Sequence, residues 1–434
     1  MPRKTGIDAA WEILFERHAI PDRVAEQGTF SISSAEINTV KEARLMAKFD
    51  RSAQLPTVFR QHGLSILPVS RGEYLIGPFQ THREVVYSDV RPRVVPAPAL
   101  QTLDGTDLYS EASALLFCYN SGIFHDLLGS DRVAFTVNGR MSSGAFDFTI
   151  HGSREPGRRF PVSVQNAQVE IDGGYESPDA FCICEAKNMA SEELLIRQLY
   201  YPYRLWRAKI AKPVVPLFLV CSNDVFHAFR YSFADEGDYN SLTLEGHSAY
   251  TFAPQSIGLD DVAALWRNTR PGTEPPDVPF PQANSFARVV DLLTVLYARE
   301  LTRDEVTLKY EFDVRQTDYY ISACQYLGLV ERFHAGETYG FRLTAQARRI
   351  LSLGWREKYL ALMACVIRRP VFHRALGLAL RHGALPNPNV TIRLMLESGL
   401  SLNETTIARR SSTVRGWIGW ILTQCGEGEQ LAME

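Results

Sequence analysis

The sequence predicts an α/β protein: a mixed central sheet flanked by helices, with an N-terminal α+β domain before it and mostly helical modules after it. Three observations carry this prediction. Strand-like apolar runs and helical periodicity share residues 108–233, a pattern that builds one sheet with helices against it. A stretch with Pro271, Pro275, Pro276, Pro279, Pro281 and Gly272 then interrupts the chain, since proline continues neither a helix interior nor a central strand. Beyond it the apolar spacing is helical. The boundaries that follow are 1–98 for an N-terminal accessory domain, 99–267 for the central domain, 268–283 for a linker, and 284–353 and 354–425 for two C-terminal modules.

Element by element, residues 7–29 open in a helical rhythm, and Ser33 or Ser34 caps a helix expected over 35–47. Short strands at 64–69 and 74–76 flank the turn Ser70-Arg71-Gly72. The central domain reads as a helix over 108–128, strands at 133–137, 145–150, 168–171 and 180–185, a helix over 191–209, and strands at 214–221 and 225–233. After the prolines, helices at 285–299, from Thr302 (with Glu305 as a capping box) and at 317–327 precede a hairpin at 330–343. Three helices and a hairpin make a winged helix-turn-helix. Residues 402–409 and 411–421 read as the two helices of a second helix-turn-helix, giving tandem winged-helix modules.

At 434 residues the chain exceeds one ordinary core, and 45% hydrophobic with 22% charged residues is a soluble globular composition. No apolar run approaches the ~18 residues of a membrane span. Residues 1–9 hold no signal-peptide apolar region, so a cytoplasmic location is expected. Seven scattered cysteines argue against a disulfide framework. Cys182 and Cys184 sit in an apolar strand without a second ligand pair, which suits buried small hydrophobes better than zinc ligands.

The net charge of −3 hides an asymmetry: residues 340–425 carry thirteen Lys or Arg against three acids, 13 − 3 = +10. A basic C-terminal end on an acidic remainder points to a polyanion.

The chemistry concentrates in QVEIDGGYESPDAFCICEAKN, Gln168 to Asn188. One strand delivers Asp172, the Gly173-Gly174 pair is expected to turn the chain, and a second strand delivers Glu185 and Lys187 on one face, since residues two apart on a strand share a side. Carboxylates with a neighbouring lysine suit phosphodiester hydrolysis: Mg²⁺ takes hard oxygen ligands, and an amine can orient water or stabilise developing charge. Lysine is scarce, eight against 38 arginines, and only Lys187 has an acid two residues before it.

These residues resemble the PD-(D/E)xK nuclease superfamily, which includes most type II restriction endonucleases. Twelve residues separate Asp172 from Glu185, as in many members, and residues 108–233 follow the family's helix-strand-strand-strand-helix-strand order. The resemblance implies a restriction-endonuclease-like core, Asp172 and Glu185 as Mg²⁺ ligands and Lys187 as the catalytic lysine. Asp179, in the literal Pro178-Asp179, competes with Asp172, and Glu170 is a weaker candidate. Glu111 stands for the glutamate that members often add from their first helix, and Gln198 for the glutamine of RecB-like members. Restriction enzymes with a similar N-terminal block suggest DNA contacts from Lys48 and Arg71. Arginines and aromatics over 196–206 either track DNA or pack on the sheet.

Recognition residues are expected at helix starts: Arg315 and Gln316 in the first module, and Arg409, Arg410, Ser412 and Arg415 in the second, because arginine and glutamine read guanine and adenine edges. The expectation is a type II restriction endonuclease that hydrolyses double-stranded DNA with Mg²⁺, leaves 5′-phosphates, and acts as a homodimer because two strands need two sites. A structure-specific repair nuclease and a non-catalytic DNA-binding regulator on a nuclease scaffold are the alternatives.

Overall fold

The N-terminal elements form around apolar positions that recur on one side. Helices α1 (Gly6–His18) and α2 (Ile20–Gln27) precede strand β1 (Phe30–Ser33), helices α3 (Ser34–Asn38), α4 (Ala43–Met46) and α5 (Thr57–His62), and strands β2 (Ser65–Pro68) and β3 (Glu73–Gly77). The strands pair antiparallel in the order β1-β3-β2, and Trp11, Phe15, Phe59 and Ile76 lie in the core beneath them. The computed structural model describes residues 6–103, 105, 108, 110–155, 157–252, 257–309, 314–335, 338–400 and 402–425. Ser33 and Glu36 make a reciprocal capping box. The helix expected over 35–47 is two short ones, because the Asn38 side chain turns to accept the Ala43 N–H at 2.8 Å.

Next come β4 (His82–Glu84), β5 (Arg93–Val94), α6 (Glu111–Asn120), α7 (Ile123–Leu128), β6 (Ala134–Ser142), β7 (Ala145–His151), β8 (Arg159–Gln165), β9 (Gln168–Glu176), β10 (Phe181–Lys187), β11 (Glu193–Leu195), α8 (Arg197–Arg207), β12 (Val214–Ser222), β13 (Val225–Phe233), β14 (Leu242–Thr251) and α9 (Leu259–Asn268). A seven-stranded mixed sheet runs β5-β14-β13-β12-β10-β9-β6. β10 is parallel to β12 and antiparallel to β9. Cys182, Cys184 and Ala186 pack toward α6 and α7, while Phe181 and Ile183 pack toward α8. That two-sided burial explains why β10 is an unbroken apolar run up to Glu185.

Several expected elements differ. The 108–128 helix breaks where Gly122 takes the left-handed conformation (φ 78°). The strand at 145–150 is β7, which leaves the central sheet to pair with β8 as a separate hairpin. The helix expected from 191 starts at 197, because residues 193–195 pair with β4 instead. Residues 93–94, before the expected close of the first domain at 98, already pair with β14 of the central sheet.

The proline-rich stretch has neither helix nor strand, yet it is packed: Phe280 is buried against Tyr326 and Phe372. Helix α10 (Phe286–Ala298), β15 (Leu301–Thr302), α11 (Arg303–Lys309), α12 (Val314–Tyr326), β16 (Val330–Ala335) and β17 (Thr338–Leu343) follow, with the strands in the order β15-β17-β16. The Thr302–Glu305 box forms as expected. The rest is helical: α13 (Ala345–Leu351), α14 (Trp355–Ile367), α15 (Pro370–His382), α16 (Pro388–Leu396) and α17 (Glu404–Thr423). The second helix-turn-helix is corrected: α17 is one continuous helix, and no hairpin follows it among the described residues. One apolar core spans both C-terminal modules, from Phe286 to Trp417 and Ile421. No helix among the described residues is long and apolar enough to cross a membrane.

Candidate active site

Glu185 and Lys187 leave β10 on the α8 side, two residues apart as strand geometry requires. Glu185 is 7% exposed. Its Oε1 accepts from Lys187 Nζ at 3.1 Å and from the side-chain amide of Gln198, in the first turn of α8. Lys187 Nζ also stands 3.4 Å from Asp50 Oδ2, which arrives from the N-terminal unit.

Asp172 reaches the same place through an irregularity in β9. Partners along β6 run from Val137↔Gly174 to Gly139↔Ile171, so three steps on β9 (174 − 171 = 3) match two on β6 (139 − 137 = 2). The extra residue makes a bulge, a device that re-aims side chains. Asp172 Oδ2 then accepts the Ala186 N–H at 2.9 Å. The expected Gly173-Gly174 turn is corrected. Both glycines stay in β9, paired with Cys184 and Ile183, and the chain reverses between Glu176 and Phe181. Glycine is needed there for close approach: a Cβ on Gly173 would meet the Tyr175 ring at 2.8 Å. Asp179 is therefore exposed in that turn, at the end of the hairpin opposite Glu185. Glu170 is exposed and pairs with Arg140 at 3.2 Å.

Glu111 opens α6 behind the Ser110 cap. Burial pushes its carboxyl up to about 7, the Lys187 charge works against that rise, and Asp172 adds to it; the charges of Lys48 and Asp50 also reach it. Burial also raises Asp172, opposed by the Ala186 N–H, and raises Glu185 well above the carboxylate range, opposed by Lys187. Burial thus raises Glu111, Asp172 and Glu185 alike, and each of them feels the Lys187 charge. Asp172 and Glu185 are the carboxylates that could hold a hard divalent cation, since Mg²⁺ needs only one or two from the protein, with water and phosphate completing its shell. Among the described residues no three His, Cys, Asp or Glu groups stand together at cation-enclosing separation. Asp50 closes the Arg44–Asp50 stretch that the sequence marks only for Lys48; nothing in its local spacing signals a role.

The other singled-out residues are placed unevenly. Lys48 and Arg71 are exposed. The 196–206 aromatics pack inward: Tyr200, Tyr201 and Tyr203 are buried, and Arg204 donates to the carbonyls of Asp147 and Glu236. The Arg315 side chain lies outside the described residues; Gln316 is half-buried at the start of α12. Arg409 is exposed on α17. Arg410 is half-buried, and burial with the neighbouring Arg409 charge lowers its pKa. Ser412 donates to the Asn284 side chain at 3.1 Å, and Arg415 to the Pro386 carbonyl at 2.9 Å. Both are tied to packing partners.

Three family models match consecutive stretches, each described as a domain of unknown function: DUF6996 over residues 8–76, DUF6997 over 77–251 and DUF7226 over 288–426. The middle model covers Glu111, Asp172, Glu185, Lys187 and Gln198, whereas Asp50 falls within the first. No curated protein and no solved structure matches the chain.

Proposed function

We propose that the chain is a Mg²⁺-dependent deoxyribonuclease of the type II restriction endonuclease kind, with a PD-(D/E)xK site. The observation that carries this reading is convergence. Glu111 from α6, Asp172 from β9, Glu185 and Lys187 from β10 and Gln198 from α8 are separated along the chain, yet they influence or touch one another at one end of β10. The order α6, β6, β9, β10, α8, β12 supports it, being the helix-strand-strand-strand-helix-strand order of that superfamily with α7, the β7–β8 hairpin and the short β11 inserted.

In this reading Asp172 and Glu185 hold the cation and Lys187 orients the attacking water or stabilises charge on the phosphate. Glu111 adds negative charge to the cation site, and Gln198 fixes Glu185. A bound divalent cation would supply Lewis-acid polarisation of the phosphate and a more acidic water. The arrangement of α10, α11, α12 and the β15-β17-β16 sheet is that of a winged helix-turn-helix, which supports duplex DNA as the partner. Gln316 on α12 and Arg409 on α17, with the basic excess of residues 340–425, are the proposed DNA contacts. Two-strand cleavage calls for a homodimer.

Incubation of the full chain with plasmid and Mg²⁺ tests the proposal. Discrete fragments with 5′-phosphate ends, located by end-sequencing, are the expected result. Progressive degradation would transfer the site to a repair nuclease, and DNA binding without cleavage would leave a regulator.

A further inference from the structure

Three consecutive residues of the N-terminal unit grip the stretch that leaves β10. Asp50 Oδ2 faces Lys187 Nζ at 3.4 Å. Arg51 donates from Nη2 to the Ala190 carbonyl at 2.9 Å. Ser52 donates its backbone N–H and its hydroxyl to the two oxygens of Glu193, at 2.8 and 2.7 Å. Asp50 and Lys187 are almost enclosed, their side chains 10% and 11% exposed. This is a built contact between two parts of the fold, placed at the reacting end of β10.

The contact creates a specific electrostatic arrangement. Lys187 lies between two carboxylates, Glu185 at 3.1 Å and Asp50 at 3.4 Å. Under the proposed function Glu185 also holds a divalent cation. An ammonium and a divalent cation compete for one carboxylate, because each repels the other at contact range. A lysine with Glu185 as its only anchor would either block the cation or be driven out by it. A second carboxylate, on a different element from Glu185, removes that conflict.

We propose that Asp50 is a positioning residue for Lys187: it retains the ammonium beside the site when Glu185 turns its oxygen to a divalent cation. The inference rests on the nuclease reading and adds to it that the N-terminal unit completes the site.

The test is a double-mutant cycle on the full-length protein, read as Ca²⁺ affinity by calorimetry and therefore independent of turnover. Asp50→Asn should weaken Ca²⁺ binding about tenfold when Lys187 is present, because the ammonium falls back onto Glu185. In a Lys187→Met background the same change should cost no more than about threefold. Asp50→Glu should largely restore binding, and Ser52→Ala, which loosens the same contact without touching Lys187, should leave it unchanged. Equal losses in both backgrounds, or no loss in either, would overturn the proposal. If Asp50→Asn does not fold, Asp50→Ser enters the same cycle, and an effect on Ca²⁺ affinity that ignores Lys187 overturns it equally. A wild-type chain that neither binds Ca²⁺ nor cuts DNA would sink the nuclease reading and this proposal together. One that binds and cuts, with an additive cycle, would sink the role of Asp50 alone.

Discussion

Gln198 and Glu185 are joined by a side-chain amide donated to Oε1, the same oxygen that Lys187 holds. The carboxylate is thus aimed by a helix on one side and by its own strand on the other. Replacing Gln198 with Ala frees Glu185 to rotate. The expected result is a loss of cleavage of roughly ten- to a hundredfold with DNA affinity unchanged, measured by single-turnover cleavage beside a binding titration.

Lys187→Ala should be more severe. It removes the amine itself, and loss of one preorganised charge-stabilising donor costs roughly 100-fold or more in rate. DNA binding should survive, because the proposed contacts lie elsewhere. A variant that still cuts at the wild-type rate would show that the assigned site is wrong.

Gly174→Ala probes the tight crossing that delivers Asp172. The added Cβ would stand 2.8 Å from the Val137 Cβ and 2.9 Å from the Phe181 ring, so the strands must part. A destabilisation of about 1–3 kcal/mol is expected, read by denaturant unfolding. A neutral result would mean that β9 and β6 are more loosely paired than described.

How much of this was legible before the fold? The Glu185–Lys187 pair was, because an i, i+2 relation on a strand is local. Asp172 was also legible, but its route was not: two glycines in a row read as a turn, and only the ring of Tyr175 above Gly173 reveals why glycine stands there. The run Arg409 to Thr413 read as a break between two helices. In the fold Ser411 and Ser412 turn their hydroxyls back onto the carbonyls of Ala408 and Arg409, so a polar run continues the helix. Asp50 had no local signal, since tertiary packing alone brings a separate unit to Lys187.

Asp291, on α10, gives a pH prediction. Burial raises its carboxyl to about 7, against the pull of the Ala190 N–H, the Ser222 hydroxyl, Arg288 and the Asn223 N–H. The unfolded chain releases this proton near 3.8, so between 3.8 and about 7 the native state binds it more tightly. The resulting stability is complete below the lower value and is lost as pH rises through the upper one. Asp291→Asn should flatten that decline in a series of thermal melts from pH 4 to 8. An unchanged slope would assign the dependence to other groups.

Trp417→Ala tests whether the C-terminal helices share one core. The indole is fully buried between Phe286 and Phe372, with centroids at 5.0 and 4.9 Å, and it donates to the Ala283 carbonyl. A loss of about 3–5 kcal/mol is expected. Hydrogen exchange should accelerate across α10 and α15 together, and acceleration confined to α17 would contradict a common core.

The peptide between Met189 and Ala190 donates its N–H to Asp291 at 2.9 Å, and the carbonyl of Ala190 receives Arg51 at 2.9 Å. A buried carboxyl on one side and a guanidinium on the other thus hold the two polar backbone groups of Ala190. The stretch is therefore fastened at one residue to both the N-terminal unit and α10. Both ties lie three residues from Lys187.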